Sequence, residues 1–161
     1  MRRLLLILCY VALLSLVACL PVGRGAKARE NMTPDHILAT ELWTDHEFYE
    51  RGEPVHIHAR VTNNSEQEIT LRSPSEAVPV VDIVIERGPA LTPIELRVWS
   101  QEQPDEVVYS RILRAGESYE VEWTVQFSQA DGYSVDMTWL DHFGYTRHTL
   151  FGIYYDVNLP G

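Results

Sequence analysis

The sequence predicts an all-β fold, an immunoglobulin-like antiparallel β-sandwich of eight or nine strands that follows an N-terminal signal peptide and a linker. Two observations predict it. Apolar and polar residues alternate with a period of two over most of the chain after residue 37, and clusters of Gly, Pro, Asn and Asp separate the alternating runs. No stretch has the 3.6-residue period of an amphipathic helix. A closed barrel is the main alternative fold.

The clearest predicted strand covers residues 118–127. Its odd-numbered positions are large and apolar, namely Tyr119, Val121, Trp123, Val125 and Phe127. The same alternation predicts strands at 55–61, 81–85, 133–139 and 151–157, with shorter candidates at 38–44, 67–72, 94–99 and 108–113. We therefore expect each strand to turn one face to the core and the other to water.

The first 18 residues have the three parts of an export signal. Arg2 and Arg3 precede an apolar run from Leu4 to Val17, and the small residue Ala18 follows that run. A permanent helical span of a membrane needs about 20 apolar residues, and this run is shorter. The pattern predicts a segment that is removed after export.

The residues Leu16-Val17-Ala18-Cys19 resemble the lipobox of bacterial lipoprotein precursors. The resemblance implies that the signal is cut between Ala18 and Cys19 and that the thiol of Cys19 is acylated, so that membrane lipid becomes a partner. The other cysteine, Cys9, lies in the segment to be removed, so the mature chain would form no intramolecular disulfide. The expected location is the bacterial cell envelope, as a membrane-anchored lipoprotein. An unmodified Cys19 beside an ordinary cleavage site is the alternative.

Three segments make up the expected chain: a signal peptide at 1–18, a flexible tether at 19–36, and one sandwich domain at 37–161. The tether is predicted because residues 20–36 contain two prolines, two glycines and scattered charge without apolar periodicity. After removal of the signal, 11 basic residues face 23 acidic ones, a net charge of −12. This charge disfavours nucleic acid and anionic lipid surfaces as partners.

The histidines provide the nearest approach to a metal or catalytic site. His56 and His58 are two residues apart on one predicted strand and point away from its apolar face, as a pair of metal ligands would. His142 and His148 flank a loop that contains Asp141. Neither set reaches a complete ligand or catalytic constellation, so the sequence predicts no enzyme, no metal and no small-molecule cofactor.

Two of the four tryptophans, Trp123 and Trp139, lie on apolar strand faces and are expected in the core. The alternation does not decide whether Trp43 and Trp99 are buried or exposed. Exposure of either one would favour a stacking surface.

Several short motifs occur in an order that resembles the BsuPI family of intracellular proteinase inhibitors. They are Val61-Thr62-Asn63, Asp82-Ile83-Val84-Ile85, Trp99-Ser100, Gly116-Glu117 and Trp123. They fall within residues 55–125, about half of the mature chain. The resemblance implies a β fold, a protein partner and proteinase inhibition.

A loop that blocks a protease must hold an extended segment in the substrate cleft, and proline favours that conformation. The best candidate is the loop at 73–79, whose candidate partner-binding residues are Pro74, Ser75, Glu76, Ala77, Val78 and Pro79. A protease is thus one expected partner. A cell-envelope interaction or structural module without inhibitory activity is the alternative function, and an enzyme or metal-binding protein ranks third.

Overall fold

A computed structural model describes residues 27–73, 75, 78–87 and 94–156. The predicted signal peptide, its cleavage site, Cys19 and the first part of the predicted tether lie outside these residues, as do Pro74, Glu76 and Ala77 of the candidate loop. Within the described ranges, no helix is long and apolar enough to cross a membrane.

The described residues form eleven strands and two short helical turns. The strands are β1 Lys27–Met32, β2 Leu38–Thr44, β3 Phe48–Tyr49, β4 Val55–Asn63, β5 Ile69–Arg72, β6 Val81–Arg87, β7 Glu95–Val98, β8 Ser110–Leu113, β9 Ser118–Val125, β10 Asp131–Leu140 and β11 Thr146–Tyr155. Between β7 and β8 lie one α-helical turn, α1 Trp99–Glu102, and a 3-10 turn, Pro104–Glu106.

The strands form two large open sheets and a small one. One sheet has the order β1-β2-β4-β9, the second has the order β3-β11-β10-β6-β7, and β5 pairs with β8. All pairings are antiparallel except that of β3 with β11. The predicted all-β sandwich is confirmed, and the sheets are not closed into the alternative barrel.

One core lies between the sheets, and the predicted alternation places residues in it as expected. Strand β4 alternates between buried and half-buried positions along its whole length. Trp123 and Trp139 are both buried, while Tyr119 packs at the edge of the core and is half-buried. Trp99, which the sequence left undecided, is 1% exposed and lies at the start of α1.

The first strand corrects the predicted boundary between tether and domain. Residues 27–32, placed in the flexible tether by their composition, pair as β1 with β2 over six positions, from Lys27 opposite Thr44 to Met32 opposite Ala39. The sequence Lys-Ala-Arg-Glu-Asn-Met has no apolar alternation because β1 is an edge strand held by its backbone hydrogen bonds. The folded domain therefore begins at residue 27 at the latest.

The motifs that carry the family resemblance meet in pairs. Asp82 accepts hydrogen bonds from the backbone N–H of Ser100 at 3.0 Å and from its hydroxyl at 2.6 Å, and this contact holds the turn that buries Trp99. Asn63 exchanges backbone hydrogen bonds with Gly116 and Glu117 at 2.8 and 2.9 Å. These residues stabilise the sandwich from inside.

Candidate functional site

The hairpin between β10 and β11 presents two large aromatic side chains to solvent. We call residues 141–146 the aromatic loop. Phe143 is 68% exposed and Tyr145 is 65% exposed, the first and third most exposed of the large hydrophobic residues that the structure describes. Gly144 between them has φ +84°, a left-handed conformation in which a Cβ would be strained. The turn thus depends on glycine to place both rings outward.

A buried carboxylate fixes the backbone of the aromatic loop. Asp141 is 1% exposed, and its Oδ1 accepts hydrogen bonds from the N–H groups of Phe143 at 3.0 Å and Tyr145 at 2.9 Å. Its Oδ2 accepts from Nε of Arg147 at 3.0 Å and lies 2.9 Å from Nη2 of the same side chain. A buried carboxylate is destabilising unless it has a charged partner and several hydrogen-bond donors. The loop conformation that supplies both is therefore favoured over others.

The turn between β1 and β2 supports one side of the aromatic loop. Nε2 of His142 lies 3.1 Å from Oδ2 of Asp35, and the His142 ring packs on Phe143 with the centroids 4.0 Å apart. Interaction with the Thr33 side chain, and to a smaller degree the N–H of Ile37 and the charge of His142, lowers the pKa of Asp35 even though desolvation opposes the shift. Asp35 therefore favours its charged form, which attracts His142.

The strand register defines the end of the sandwich at which this loop lies. Lys27 is at the opposite end of β1 from the turn that contains Asp35, and a six-residue strand rises about 20 Å. The chain therefore enters the domain far from the aromatic loop. The backbone N–H of Leu140 donates to the carbonyl of Val80 at 3.0 Å, so the segment that precedes β6 is at the same end as the aromatic loop.

The described part of the predicted binding loop is compact. The N–H of Val78 donates to the carbonyl of Ser75 at 3.3 Å, which closes a turn. Ser75 is exposed, Val78 is half-buried and Pro79 is buried. Of the apolar pair expected to enter a protease pocket, Val78 is thus partly covered, and Ala77 lies outside the described residues.

The two histidines of the predicted pair contact different residues of the neighbouring strand β9. Both side chains are on the outer face of the four-stranded sheet, as expected. Nδ1 of His56 lies 3.0 Å from Oγ1 of Thr124, whereas Nδ1 of His58 faces Glu122 and Glu120. The structure does not bring the two imidazoles to one ligand position, and carboxylates take the place expected for a second histidine.

The other predicted candidates also have specific neighbours. Nδ1 of His148 lies 2.8 Å from Oδ2 of Asp136, and His142 is paired with Asp35 as described above, so the two histidines that flank Asp141 do not converge. Trp43 is half-buried and stacks on His58, with ring centroids 4.8 Å apart and an interplanar angle of 7°.

The histidines around the aromatic loop are recognisable as candidates in the sequence, whereas Phe143 and Tyr145 were not predicted from it. A signal for them exists. Two aromatic residues flank a glycine in a stretch without alternation, Asp-His-Phe-Gly-Tyr, where turn chemistry places side chains in solvent. Their rigidity, however, depends on the burial of Asp141, which the sequence of the loop does not reveal.

No family model matches the chain, and no curated protein matches it. The resemblance to the BsuPI family therefore stays a prediction.

Solved structures give distant similarities. A β-glucosidase from Listeria innocua in complex with glucose has a TM-score of 0.42 and 10% identity over 84% of this chain. The sporulation control protein Spo0M from Bacillus subtilis has a TM-score of 0.42 and 11% identity over 83% of this chain and 50% of its own. The PmoD soluble domain from Methylocystis sp. ATCC 49242 has a TM-score of 0.38 and 12% identity, with 81% and 90% of the two chains covered.

This chain spans 17% of the length of the β-glucosidase. All of these TM-scores are below 0.5, so the similarities carry no information about the function of this chain.

Proposed function

We propose that this chain is an exported protein-binding domain, tethered to a membrane through an acylated Cys19, whose aromatic loop contacts a protein partner. The single observation that carries the proposal is the exposure of Phe143 and Tyr145 on a backbone fixed by the buried Asp141. Aromatic residues are enriched among the few side chains that dominate binding energy in protein interfaces.

Rigidity of the loop favours binding. Ordering a mobile side chain at an interface costs about 0.5–1.5 kcal/mol. In the aromatic loop the backbone is already held by the carboxylate of Asp141, and the Phe143 ring rests on His142. A partner would therefore gain contact with both rings at a reduced entropic cost.

The position of the loop fits a tethered binding domain. A chain anchored at Cys19 would enter the sandwich at Lys27, at the end of β1 away from the turn that contacts His142. The aromatic loop would then face away from the lipid, where a soluble or envelope protein has access to it.

The test is site-specific photo-crosslinking in the cell, with a photoreactive amino acid placed at position 143 and, as a matched control, at position 150. Leu150 is also exposed, at 55%, but lies on the outer face of the five-stranded sheet. We expect one discrete crosslinked partner from position 143 and none from position 150. Equal labelling from both positions, or a partner from position 150 alone, would contradict the proposal.

Replacement of both rings measures their contribution once the partner is captured. Phe143→Ser with Tyr145→Ser should weaken binding by about 30-fold or more, because interface hot spots contribute about 2 kcal/mol or more. The control Leu150→Ser should leave binding unchanged.

The tether requires its own experiment because Cys19 lies outside the described residues. A serine hydroxyl is a much weaker nucleophile than the thiolate, so Cys19→Ser should abolish incorporation of labelled fatty acid. Label that persists in the variant would contradict lipid attachment at Cys19.

Proteinase inhibition is a narrower form of the same proposal, favoured by one observation. The hydrogen bond between Leu140 and Val80 places the segment after the 74–79 loop beside the strand that leads to the aromatic loop. A protease that engages one of these loops would thus approach the other.

The purified protein should be titrated against a panel of serine proteases, with residues 74–79 replaced by Gly and Ser in a second sample. Inhibition that is lost in the second sample supports this form. If no protease of the panel is inhibited, the interaction-module alternative gains support.

A further inference from the structure

We propose that His58, Glu120 and Glu122 bind a divalent transition metal ion on the outer face of the four-stranded sheet. This site is independent of the aromatic loop and of its partner. Within the described ranges, these residues are the one group of three whose potential ligand atoms lie close enough together to hold a metal, all within 4.8 Å of one another.

The pairing of β4 with β9 brings the three residues together. Glu122 lies directly opposite His58, and Glu120 lies opposite Arg60, the next position on the same face. Cross-strand neighbours on one face are close enough for their side chains to meet. The ligands are therefore supplied by two hydrogen-bonded strands, which hold their spacing better than loops would.

The separations of the potential ligand atoms fit a shared ion and are longer than direct hydrogen bonds. Nδ1 of His58 lies 3.5 Å from Oε1 of Glu122 and 3.9 Å from Oε1 of Glu120, both beyond ordinary hydrogen-bond length. Two ligands bound tetrahedrally to zinc at about 2.1 Å are separated by about 3.4 Å. The His58–Glu122 separation matches that value.

The Nδ1 atom of His58 is buried and has no hydrogen-bond partner among the described residues. A buried polar atom without a partner is destabilising, and such atoms are uncommon in folded proteins. A metal ion between His58 and the two glutamates would satisfy this atom.

Neighbouring side chains orient the ligands. Trp43 stacks on the imidazole ring of His58 and fixes its plane. Arg60 donates to Oε2 of Glu120 from Nε at 3.1 Å and from Nη2 at 3.0 Å, so the other oxygen, Oε1, remains available beside His58. Metal sites commonly depend on outer contacts of this kind.

The ligand chemistry defines the class of ion. An imidazole nitrogen with two carboxylates suits zinc and its first-row neighbours, whereas Ca²⁺ and Mg²⁺ prefer sites made of oxygen alone. Three protein ligands leave a coordination position for water or another group.

Zinc binding to the full chain in detergent micelles tests the proposal. Cys9→Ser and Cys19→Ser are present in every sample because free thiols would bind zinc by themselves. Calorimetric titration should give one Zn²⁺ per chain. His58→Ala and Glu122→Gln should each weaken binding by at least about tenfold, a loss seen even for outer contacts of metal sites.

His56→Ala is the matched control, because His56 is on the same strand and face but its Nδ1 faces Thr124. We expect zinc affinity in this variant to stay within about twofold of the parent, which is a small change because a tenfold change in affinity corresponds to about 1.4 kcal/mol of binding free energy. Visible absorption of the Co²⁺ form should likewise persist in His56→Ala and disappear in His58→Ala.

Circular dichroism without metal checks that each variant is folded. Glu122 is suited to this purpose because its side chain is 71% exposed, so Glu122→Gln should fold even if His58→Ala does not. Absence of zinc binding, binding that survives Glu122→Gln, or an equal loss in His56→Ala would each overturn the proposal.

Discussion

Two buried polar side chains at the same end of the sandwich organise their surroundings in different ways. Asn63 is 0% exposed at the end of β4, and Asp141 is 1% exposed just after β10. The amide of Asn63 donates to the carbonyls of Gln67 and Leu113 at 2.7 and 3.0 Å, and its oxygen accepts from Ser65. It connects two segments that are far apart in sequence.

The contacts of Asp141 lie within a single hairpin. A carboxylate only accepts hydrogen bonds, so it collects the N–H groups of its own loop and needs Arg147 to balance its charge. Asn63 therefore contributes mainly to the stability of the fold, whereas Asp141 contributes mainly to the presentation of Phe143 and Tyr145.

The largest effect should follow from Asn63→Ala. Removal of the amide takes a donor from the buried carbonyl of Leu113, a loss that costs about 1–3 kcal/mol, and also breaks the hydrogen bonds to the carbonyls of Gln67 and Arg114, which contribute about 0.5–1.5 kcal/mol each. We expect the free energy of unfolding to fall by about 3 kcal/mol, measured by urea denaturation. Asn64→Ala, at the exposed neighbouring position, should change it by less than about 0.5 kcal/mol. Equal effects of the two variants would show that Asn63 does not connect the loops.

A smaller loss of stability should follow from Asp141→Asn. The new amide oxygen can still accept from Phe143 and Tyr145, but the charge pair with Arg147 is lost. A hydrogen bond to a charged group contributes about 1.5–3 kcal/mol, and the half-exposed Arg147 regains water, so we expect a net loss of about 1–2 kcal/mol.

In this variant the hydrogen bonds from Phe143 and Tyr145 go to a neutral amide oxygen and lose their charge assistance, so the aromatic loop should loosen more than the rest of the fold. NMR relaxation should detect new mobility in residues 142–146 of Asp141→Asn, with residues 64–67 unchanged. If Asp141→Asn destabilised the protein as much as Asn63→Ala does, the proposed difference between the roles of Asn63 and Asp141 would be wrong.

The strands were predictable because most of them bury one face. The alternation in β4, β9, β10 and β11 follows directly from their position over the core. Strand β1 was missed because its composition is polar on both sides, and β3 because it has only two residues. The single turn of α1 is too short to show a helical period.

The candidate sites were less predictable because they depend on register and burial. His58 was recognised as outward-facing, but its position opposite Glu122 follows from the pairing of two strands distant in sequence. Asp141 lies in a polar loop and gives no sign of burial. In contrast, the motifs that resemble the BsuPI family include Asn63 and Asp82, which form internal contacts. These residues therefore carry information about the fold more than about inhibition.

The smallest predicted effect is a pH dependence that distinguishes the surroundings of Asn63 from the aromatic loop. Asn63 does not titrate, whereas the aromatic loop contacts the titratable Asp35 through His142. The pKa of Asp35 is lowered, first by the Thr33 side chain and further by the N–H of Ile37 and by His142, against the opposing effect of desolvation. A group whose folded pKa is depressed contributes stability above its unfolded pKa, about 3.9 for Asp, and this contribution disappears as the pH falls through the lower folded value.

Acidification below about pH 4 should therefore loosen the contact between Asp35 and His142 while the Asn63 contacts persist. Amide hydrogen-exchange protection factors, compared between pH 6 and pH 3, should fall for residues 35–37 and stay level for residues 64–67. Asp35→Asn should remove the pH dependence at residues 35–37, because its side chain no longer titrates. A parallel fall of protection in both segments of the parent protein would mean that general acid unfolding, and not the protonation of Asp35, loosens this end of the sandwich.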